Sequence, residues 1–175
     1  MEERKEVMAS AIKVSDIAKV GVMAALIYVA TWLIHIPIGE KAVLHLGDSM
    51  VFTAAIILGK KKAGVASAIG MCLFDVLSPY AIWAPFTFVI KGLMGYLAGW
   101  IAYRNDYEGN NSLNNILAFT VAGIWMIVGY YFAGAFIYHS FIIALNDILG
   151  NVIQVVGGAV IAIPLARLLK KANVK

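Results

Sequence analysis

Long apolar segments separated by short polar stretches are the feature that most constrains this chain. They cover residues 17–36, 48–59, 63–77, 86–103, 116–138 and 145–169. A helix needs about 20 predominantly apolar residues to cross a bilayer, and most of these segments approach or exceed that length. The composition agrees, because 62% of the residues are hydrophobic and only 14% are charged. We therefore predict an all-α integral membrane protein, a six-transmembrane-helix bundle that forms a single membrane domain over residues 1–175.

The distribution of basic residues predicts the orientation of this bundle. Six spans place both termini on one side, and almost all the basic residues fall on that side: Arg4, Lys5, Lys13, Lys19, Lys60, Lys61, Lys62, Arg104, Arg167, Lys170, Lys171 and Lys175. Positive charge in short loops marks the cytoplasmic face, so both termini are predicted to be cytoplasmic. The net charge of +4 is explained by this asymmetry and does not indicate a nucleic-acid partner.

One lysine lies inside an apolar segment. Lys91 follows the aromatic turn at residues 80–85 and stands in the outer half of the fourth predicted span. A buried ammonium costs at least ~2.5–3.5 kcal/mol on insertion scales, so its presence needs a reason. Two interpretations are open: the side chain extends to the surface or pairs with a nearby acid, or it lines a polar cavity that binds a ligand.

Other polar side chains are predicted at the same depth. Asp48, Asp75 and His45 all lie near the outer ends of their segments. Asp147, Asn151 and Gln154 are spaced i, i+4, i+7, which places them on one helix face. Such groups can join helices to one another, but three of them level with Lys91 favour a cavity.

Aromatic residues surround the same region. Trp83 and Tyr131 are candidates to stack on a flat ligand, although aromatic residues also form belts at the membrane interface. No nucleotide-binding loop or catalytic motif is present in the sequence, and we predict no catalytic residue and no cofactor. The single cysteine excludes a disulfide framework. No two histidines have the spacing of a zinc-binding helix, and we predict no metal site.

Small residues form a stripe on the first span. Ala18, Gly21 and Ala25 recur at i, i+3 and i+7, so another helix can approach this face closely. The stripe either docks a partner or packs within the bundle.

Three segments resemble a known family. Residues 46–52 (LGDSMVF), 84–95 (APFTFVIKGLMG) and 150–160 (GNVIQVVGGAV) are similar to the substrate-binding S components of energy-coupling factor (ECF) vitamin transporters. The group that they resemble is the one for riboflavin or hydroxymethylpyrimidine. The resemblance implies a six-helix protein of the prokaryotic plasma membrane that captures a vitamin at its outer face. It also implies docking, through Ala18, Gly21 and Ala25, on a transmembrane coupling (T) subunit served by two ATPase subunits.

The expected substrate follows from the charge of the predicted site. Three aspartates against one lysine disfavour a phosphorylated vitamin, which usually recruits arginine or several lysines. We expect a small heteroaromatic ring such as hydroxymethylpyrimidine or pyridoxine, with riboflavin as the alternative. A different class of function is an intramembrane enzyme acting on a lipid, with Asp48 and Asp75 as its acidic pair. A channel is a third possibility, but no polar stripe continues through the inner half.

Overall fold

The computed structural model describes residues 14–38 and 42–172, and the predictions for Arg4, Lys5, Lys13 and Lys175 lie outside them. The elements are helix α1 (Val14–Leu33), strands β1 (His35–Ile38) and β2 (Ala42–His45), and helices α2 (Gly47–Val76), α3 (Ala84–Ala102), α4 (Ser112–Tyr138), α5 (Phe141–Ala144) and α6 (Asn146–Lys171). Short 3-10 turns at Ala81–Trp83 and Arg104–Asp106 complete the order.

The predicted class is confirmed, but the predicted count of helices is wrong. Four helical stretches are long and apolar enough to cross a membrane: Val14–Leu33, Ala81–Ala102, Ser112–Tyr138 and Phe141–Lys171. Together with α2, the described part of the chain therefore has five long helices rather than six. The difference arises in α2, which replaces the predicted spans 48–59 and 63–77.

Helix α2 is interrupted at Gly59. Its φ of 72° and ψ of 179° are not helical, and glycine adopts such a φ without steric cost. In a straight helix Gly47 and Met71 would stand about 36 Å apart. Instead, a β-carbon placed on Gly47 would lie 3.0 Å from the Met71 sulfur atom. The chain therefore reverses at Gly59, and the arms 47–58 and 60–76 pack side by side.

The first arm of α2 lies at the centre of the bundle. Val51, Phe52 and Thr53 are fully buried, and the ring of Phe52 stacks on that of Phe119 in α4, with centroids 4.2 Å apart. A helix that is apolar on all sides is typical of such a central position. This burial explains why an arm too short to span a bilayer alone is stable here, since protein rather than lipid surrounds it.

Small side chains bring α3 close to the second arm of α2. A β-carbon on Gly95 would lie 2.6 Å from the Ser67 hydroxyl oxygen and 2.8 Å from the Ala63 carbonyl oxygen. Only glycine permits this approach of two helices. The contact holds α3, and with it Lys91, against α2.

A two-stranded hairpin replaces the predicted loop after the first span. Strands β1 and β2 are antiparallel, with His35 opposite His45 and Pro37 opposite Val43. The Val43 carbonyl accepts a hydrogen bond from the Gln154 amide at 3.4 Å, which ties the hairpin to α6. The hairpin is thereby fixed at the end of the bundle where Lys91 lies.

Candidate functional site

A buried ion pair accounts for the lysine in the apolar helix. The Lys91 ammonium on α3 donates a hydrogen bond to Asp48 Oδ1 at the start of α2. Both side chains are completely buried. Each charge offsets the cost of burying the other, and removal of either would leave an unpaired charge in the core. Of the two interpretations of Lys91, pairing with an acid is therefore observed.

Lys91 also lines a cavity, as the second interpretation requires, whereas ligand binding in this cavity stays a prediction. Its ammonium lies 5.4 Å from the centroid of the Tyr130 ring, which is within the range of a cation–π contact. The Tyr130 hydroxyl lies 3.0 Å from the Thr87 hydroxyl oxygen, and Thr87 in turn hydrogen-bonds Asp75. A continuous set of contacts thus joins Lys91, Tyr130, Thr87 and Asp75 along the cavity wall.

The cavity contains about 620 Å3 of space, including the part that opens to the outside. Seven predicted site residues line it: Lys91, Asp147, Asn151, Gln154, Trp83, Asp75 and His45. They come from β2, α2, α3, α6 and the turn before α3, so the fold brings together residues more than a hundred positions apart in the sequence.

Two predicted site residues lie elsewhere. Asp48 is behind Lys91 and holds its ammonium without lining the cavity. Tyr131 points away, with its ring 5.4 Å from that of Phe132 and 6.1 Å from that of Phe141. The preceding residue, Tyr130, occupies the cavity wall instead. Consecutive helical residues differ by about 100° in direction, so the wrong choice between them removes the side chain from the site.

Seven further lining residues were not among the predicted site residues: Val43, Tyr80, Thr87, Met126, Tyr130, Asn146 and Gly150. Two of them carried a usable signal. Thr87 is four residues before Lys91, and Gly150 falls on the face shared by Asp147 and Gln154. Val43 and Met126 carried none, since nothing in a local pattern shows which apolar residue borders a cavity.

The cavity is rich in hydrogen-bond acceptors. Asp75 Oδ2, Asp147 Oδ2 and Gln154 Oε1 are buried and have no hydrogen-bond partner within the described ranges. Buried polar atoms are normally satisfied, and an unsatisfied one costs about 1–3 kcal/mol. The other groups are already engaged, since the Tyr138 hydroxyl bonds Asp147 and the Gln154 amide nitrogen lies 3.5 Å from Asn151 Oδ1. A ligand with several N–H or O–H donors would satisfy these oxygens.

His45 supplies a neutral group to the same wall. Its Nδ1 accepts a hydrogen bond from the Gly47 backbone N–H at 3.2 Å, so the proton of the neutral ring is on Nε2. Burial lowers the pKa of His45 to about 4, more than the nearby Asp48 carboxyl raises it. The imidazole is therefore uncharged at neutral pH, and its Nδ1 keeps the end of β2 close to the start of α2.

Aromatic rings form the remaining wall. The Trp83 ring centroid lies 5.8 Å from that of Tyr130 and 5.9 Å from that of Tyr138, at inclined angles. The indole is buried by these neighbours yet borders the cavity. It can therefore provide a rigid apolar surface to a flat ligand.

The small-residue stripe of α1 lies apart from this cavity. Ala18, Gly21 and Ala25 are all exposed. A β-carbon on Gly21 would meet no atom of the described residues within 4 Å. Packing against the described residues therefore does not explain why these three side chains are small.

Among the described residues, no three His, Cys, Asp or Glu side chains come close enough together to hold a metal ion. The two aspartates of the enzyme hypothesis also contact different partners. Asp48 is bonded to Lys91, whereas Asp75 is bonded to Thr87.

A helical membrane bundle with a cavity of polar and aromatic side chains at one end has the form of a protein that binds a small molecule within the membrane. Comparison with known sequences gives the family. Residues 11–171 match the family described as "ECF-type riboflavin transporter, S component". The chain belongs to this family, as the resemblance of its three segments predicted.

Two relatives extend the comparison. An uncharacterized protein of Pyrococcus woesei is 34% identical over 145 residues, covering 82% of this chain and 93% of the relative. The thiamine precursor transporter HmpT of Lactococcus lactis subsp. cremoris is 27% identical over 163 residues, covering 92% of this chain and 91% of the relative. Both matches extend over most of this chain.

Proposed function

We propose that this chain is the substrate-capture subunit of an ECF-type importer and that it binds a small heteroaromatic vitamin or vitamin precursor in the cavity beside Lys91. The observation that carries the proposal is the pairing of an indole surface, at Trp83, with buried oxygens that lack donors, at Asp75, Asp147 and Gln154. A flat ring with amino and hydroxyl substituents satisfies both features. Catalysis is not required of any of these groups.

The preferred substrates are hydroxymethylpyrimidine and pyridoxine. The charge of Lys91 is already matched by Asp48, which leaves the carboxyl groups of Asp75 and Asp147 to face the ligand. Such a site repels phosphate esters and favours amino and hydroxyl groups, which donate hydrogen bonds. The name of the Lactococcus relative, a thiamine precursor transporter, supports this choice.

Riboflavin is the alternative substrate, and the description of the matching family supports it. The different-class alternative, a lipid-modifying enzyme using Asp48 and Asp75, is weaker. A divalent cation on Asp48 would have to displace the Lys91 ammonium from a fully buried ion pair.

Isothermal calorimetry measures the affinity of the protein for hydroxymethylpyrimidine, pyridoxine and riboflavin. A substitution of Asn151 then tests whether the ligand binds in this cavity. This amide lines the cavity and is buried. Loss of one buried hydrogen-bond partner costs about 1–3 kcal/mol, so Asn151→Ala is expected to weaken binding about ten- to a hundredfold. Asn110→Ala, in the exposed loop before α4, is the matched control and should bind normally. Equal affinity of both variants for the bound vitamin would place the ligand elsewhere.

For transport we propose that the Ala18, Gly21 and Ala25 stripe docks on a transmembrane coupling (T) subunit driven by two ATPase subunits. We place the protein in the prokaryotic plasma membrane, with both ends cytoplasmic and the cavity at the outer face. The basic residues of the described chain support this orientation, since none of Lys60, Arg104 and Lys171 lines the cavity.

Bulky residues in the stripe test this docking. Gly21→Leu combined with Ala25→Leu is expected to abolish uptake in cells and leave vitamin binding by the purified protein unchanged, because both positions are exposed. Val22→Leu alters an exposed residue beside the stripe and serves as the control. Normal uptake by the double variant would contradict the docking role, whatever the outcome of the binding assay.

A further inference from the structure

A second cavity lies at the opposite end of the bundle from the first. It is formed where the first turn of α4 meets the last turns of α6, whereas the vitamin cavity lies beside the first turns of α6. It contains about 420 Å3 of space, including the part that opens to the outside. Nothing in the proposed transport function uses it.

Two cations stand on one wall of this cavity. The Arg167 guanidinium donates to the Ser112 hydroxyl, and the Lys170 ammonium donates to Asn110 Oδ1 at 3.1 Å and to the Glu108 carbonyl. Arg167 forms no ion pair with a carboxylate of the described residues. These contacts with neutral oxygens orient positive charge beside the cavity and leave Arg167 available to an anion.

A buried amide oxygen stands on another wall. Asn115 is 5% exposed and donates from its Nδ2 to the Gly109 carbonyl at 2.8 Å. Its Oδ1 is buried and has no hydrogen-bond partner among residues 14–38 and 42–172. This oxygen requires a donor, which a phosphodiester group alone does not supply. The site is therefore suited to an anion that also carries a hydroxyl group.

The surroundings of the cavity are those of a lipid-facing site. Its remaining wall includes the apolar side chains of Ile56, Ile163 and Ala166. Leu113 and Leu168, which adjoin the lining residues in sequence, are 80% and 66% exposed. In a bilayer such exposed leucines contact acyl chains, so a ligand with an acyl tail can place its headgroup at the cations. Basic pockets between membrane helices commonly bind anionic headgroups in this way.

We propose that this cavity binds the headgroup of an anionic phospholipid with a free hydroxyl, of the phosphatidylglycerol type. The phosphodiester lies at Arg167 and Lys170, and the glycerol hydroxyl donates to Asn115 Oδ1. The bound lipid joins the loop before α4 to the end of α6.

Native mass spectrometry of the full chain, titrated with dioleoylphosphatidylglycerol or dioleoylphosphatidylcholine, measures this binding. Each cation near an anionic headgroup contributes about 1 kcal/mol, or about fivefold in affinity. Arg167→Gln combined with Lys170→Gln should therefore weaken phosphatidylglycerol binding about 25-fold, and Arg167→Gln alone about fivefold. Lys60→Gln combined with Lys61→Gln removes the same charge from exposed positions at the same end and should change it less than twofold.

Three outcomes would overturn the proposal. One is equal weakening in the two double variants, which would show general attraction to basic residues. Another is equal binding of the two lipids by the wild-type chain. The third is displacement of phosphatidylglycerol by millimolar inorganic phosphate, which would show a site for the free anion. If the double variant does not fold, the single Arg167→Gln variant decides between the expected fivefold loss and no loss.

Discussion

The two ends of the bundle contain ion pairs of the same chemistry in opposite environments. Lys91 and Asp48 are completely buried beside the first cavity. Lys62 and Asp16, at the other end, lie 2.7 Å apart with about a third of each side chain exposed. Water competes for the charges of the second pair but not for those of the first. The comparison teaches that burial, more than the presence of a salt bridge, determines which charges the fold depends on.

The largest expected effect comes from breaking the buried pair. Lys91→Ala leaves the Asp48 carboxylate without its partner in the core, and we expect a loss of about 3–5 kcal/mol in the free energy of unfolding. Lys62→Ala, in the half-exposed pair, should cost about 0–1 kcal/mol. Denaturant unfolding of both variants in detergent micelles measures the difference. Equal losses would contradict the contrast between the two ends.

A double substitution distinguishes the effect of the buried charges on stability from the effect of side-chain packing. Lys91→Met combined with Asp48→Asn removes both buried charges and retains much of the side-chain volume. Replacement of a whole buried pair is often neutral, so this variant should recover most of the stability that Lys91→Ala loses. Failure to recover would mean that the pair itself, rather than an uncompensated charge, stabilises the bundle.

The next largest effect is the pH dependence of the free energy of unfolding that His45, at the cavity end of the bundle, produces. The pKa of His45 is lowered to about 4 by burial, against about 6.5 in the unfolded chain. The unfolded state therefore binds more protons between these values. Neutral His45 makes its full contribution to the free energy of unfolding above about pH 6.5. This contribution, up to about 3 kcal/mol, is lost as the pH falls towards 4.

His45→Asn tests this pH dependence because the asparagine oxygen can still accept from the Gly47 N–H. Unfolding measured from pH 8 to pH 4 should show a smaller loss in this variant than in the wild-type chain. His139→Asn, at an exposed position with a left-handed φ of 52° that asparagine tolerates, is the control and should follow the wild type. Identical profiles for all three proteins would exclude His45 as the titrating group.

The smallest effect distinguishes two neighbouring tyrosines. Tyr130→Phe removes the hydroxyl that contacts Thr87 on the cavity wall, and we expect vitamin affinity to fall severalfold, for about 0.5–1.5 kcal/mol. Tyr131→Phe alters a residue outside the cavity lining and should leave affinity unchanged. Calorimetry on both variants checks the orientation of α4. The reverse result would restore Tyr131 to the site.

Hydropathy predicted the membrane class because long apolar segments require lipid or a core around them. It predicted the two arms of α2 as the separate spans 48–59 and 63–77, with Lys60, Lys61 and Lys62 between them. In the structure these lysines continue the second arm at the end of the bundle, and the reversal occurs at Gly59. A single glycine conformation carries no hydropathy signal.

The candidate site was predictable where its residues break a local pattern. A lysine in an apolar helix and three polar residues on one face both need an explanation, and seven predicted residues do line the cavity. The choice between Tyr130 and Tyr131 depends on the rotation of α4, which is set by packing across the bundle. The hairpin that brings Val43 to α6 is likewise a tertiary contact, invisible in the sequence of residues 37–46.

Mass spectrometry of small molecules that co-purify with the protein tests the central claim most directly. The account predicts a heteroaromatic vitamin or precursor with amino or hydroxyl donors, at close to one molecule per chain. Occupancy should fall in Asp75→Asn and Asp147→Asn, whose carboxylates line the cavity, and persist in Asp106→Asn, an exposed residue of the loop before α4. A phosphorylated ligand, or one retained equally by all three variants, would contradict it.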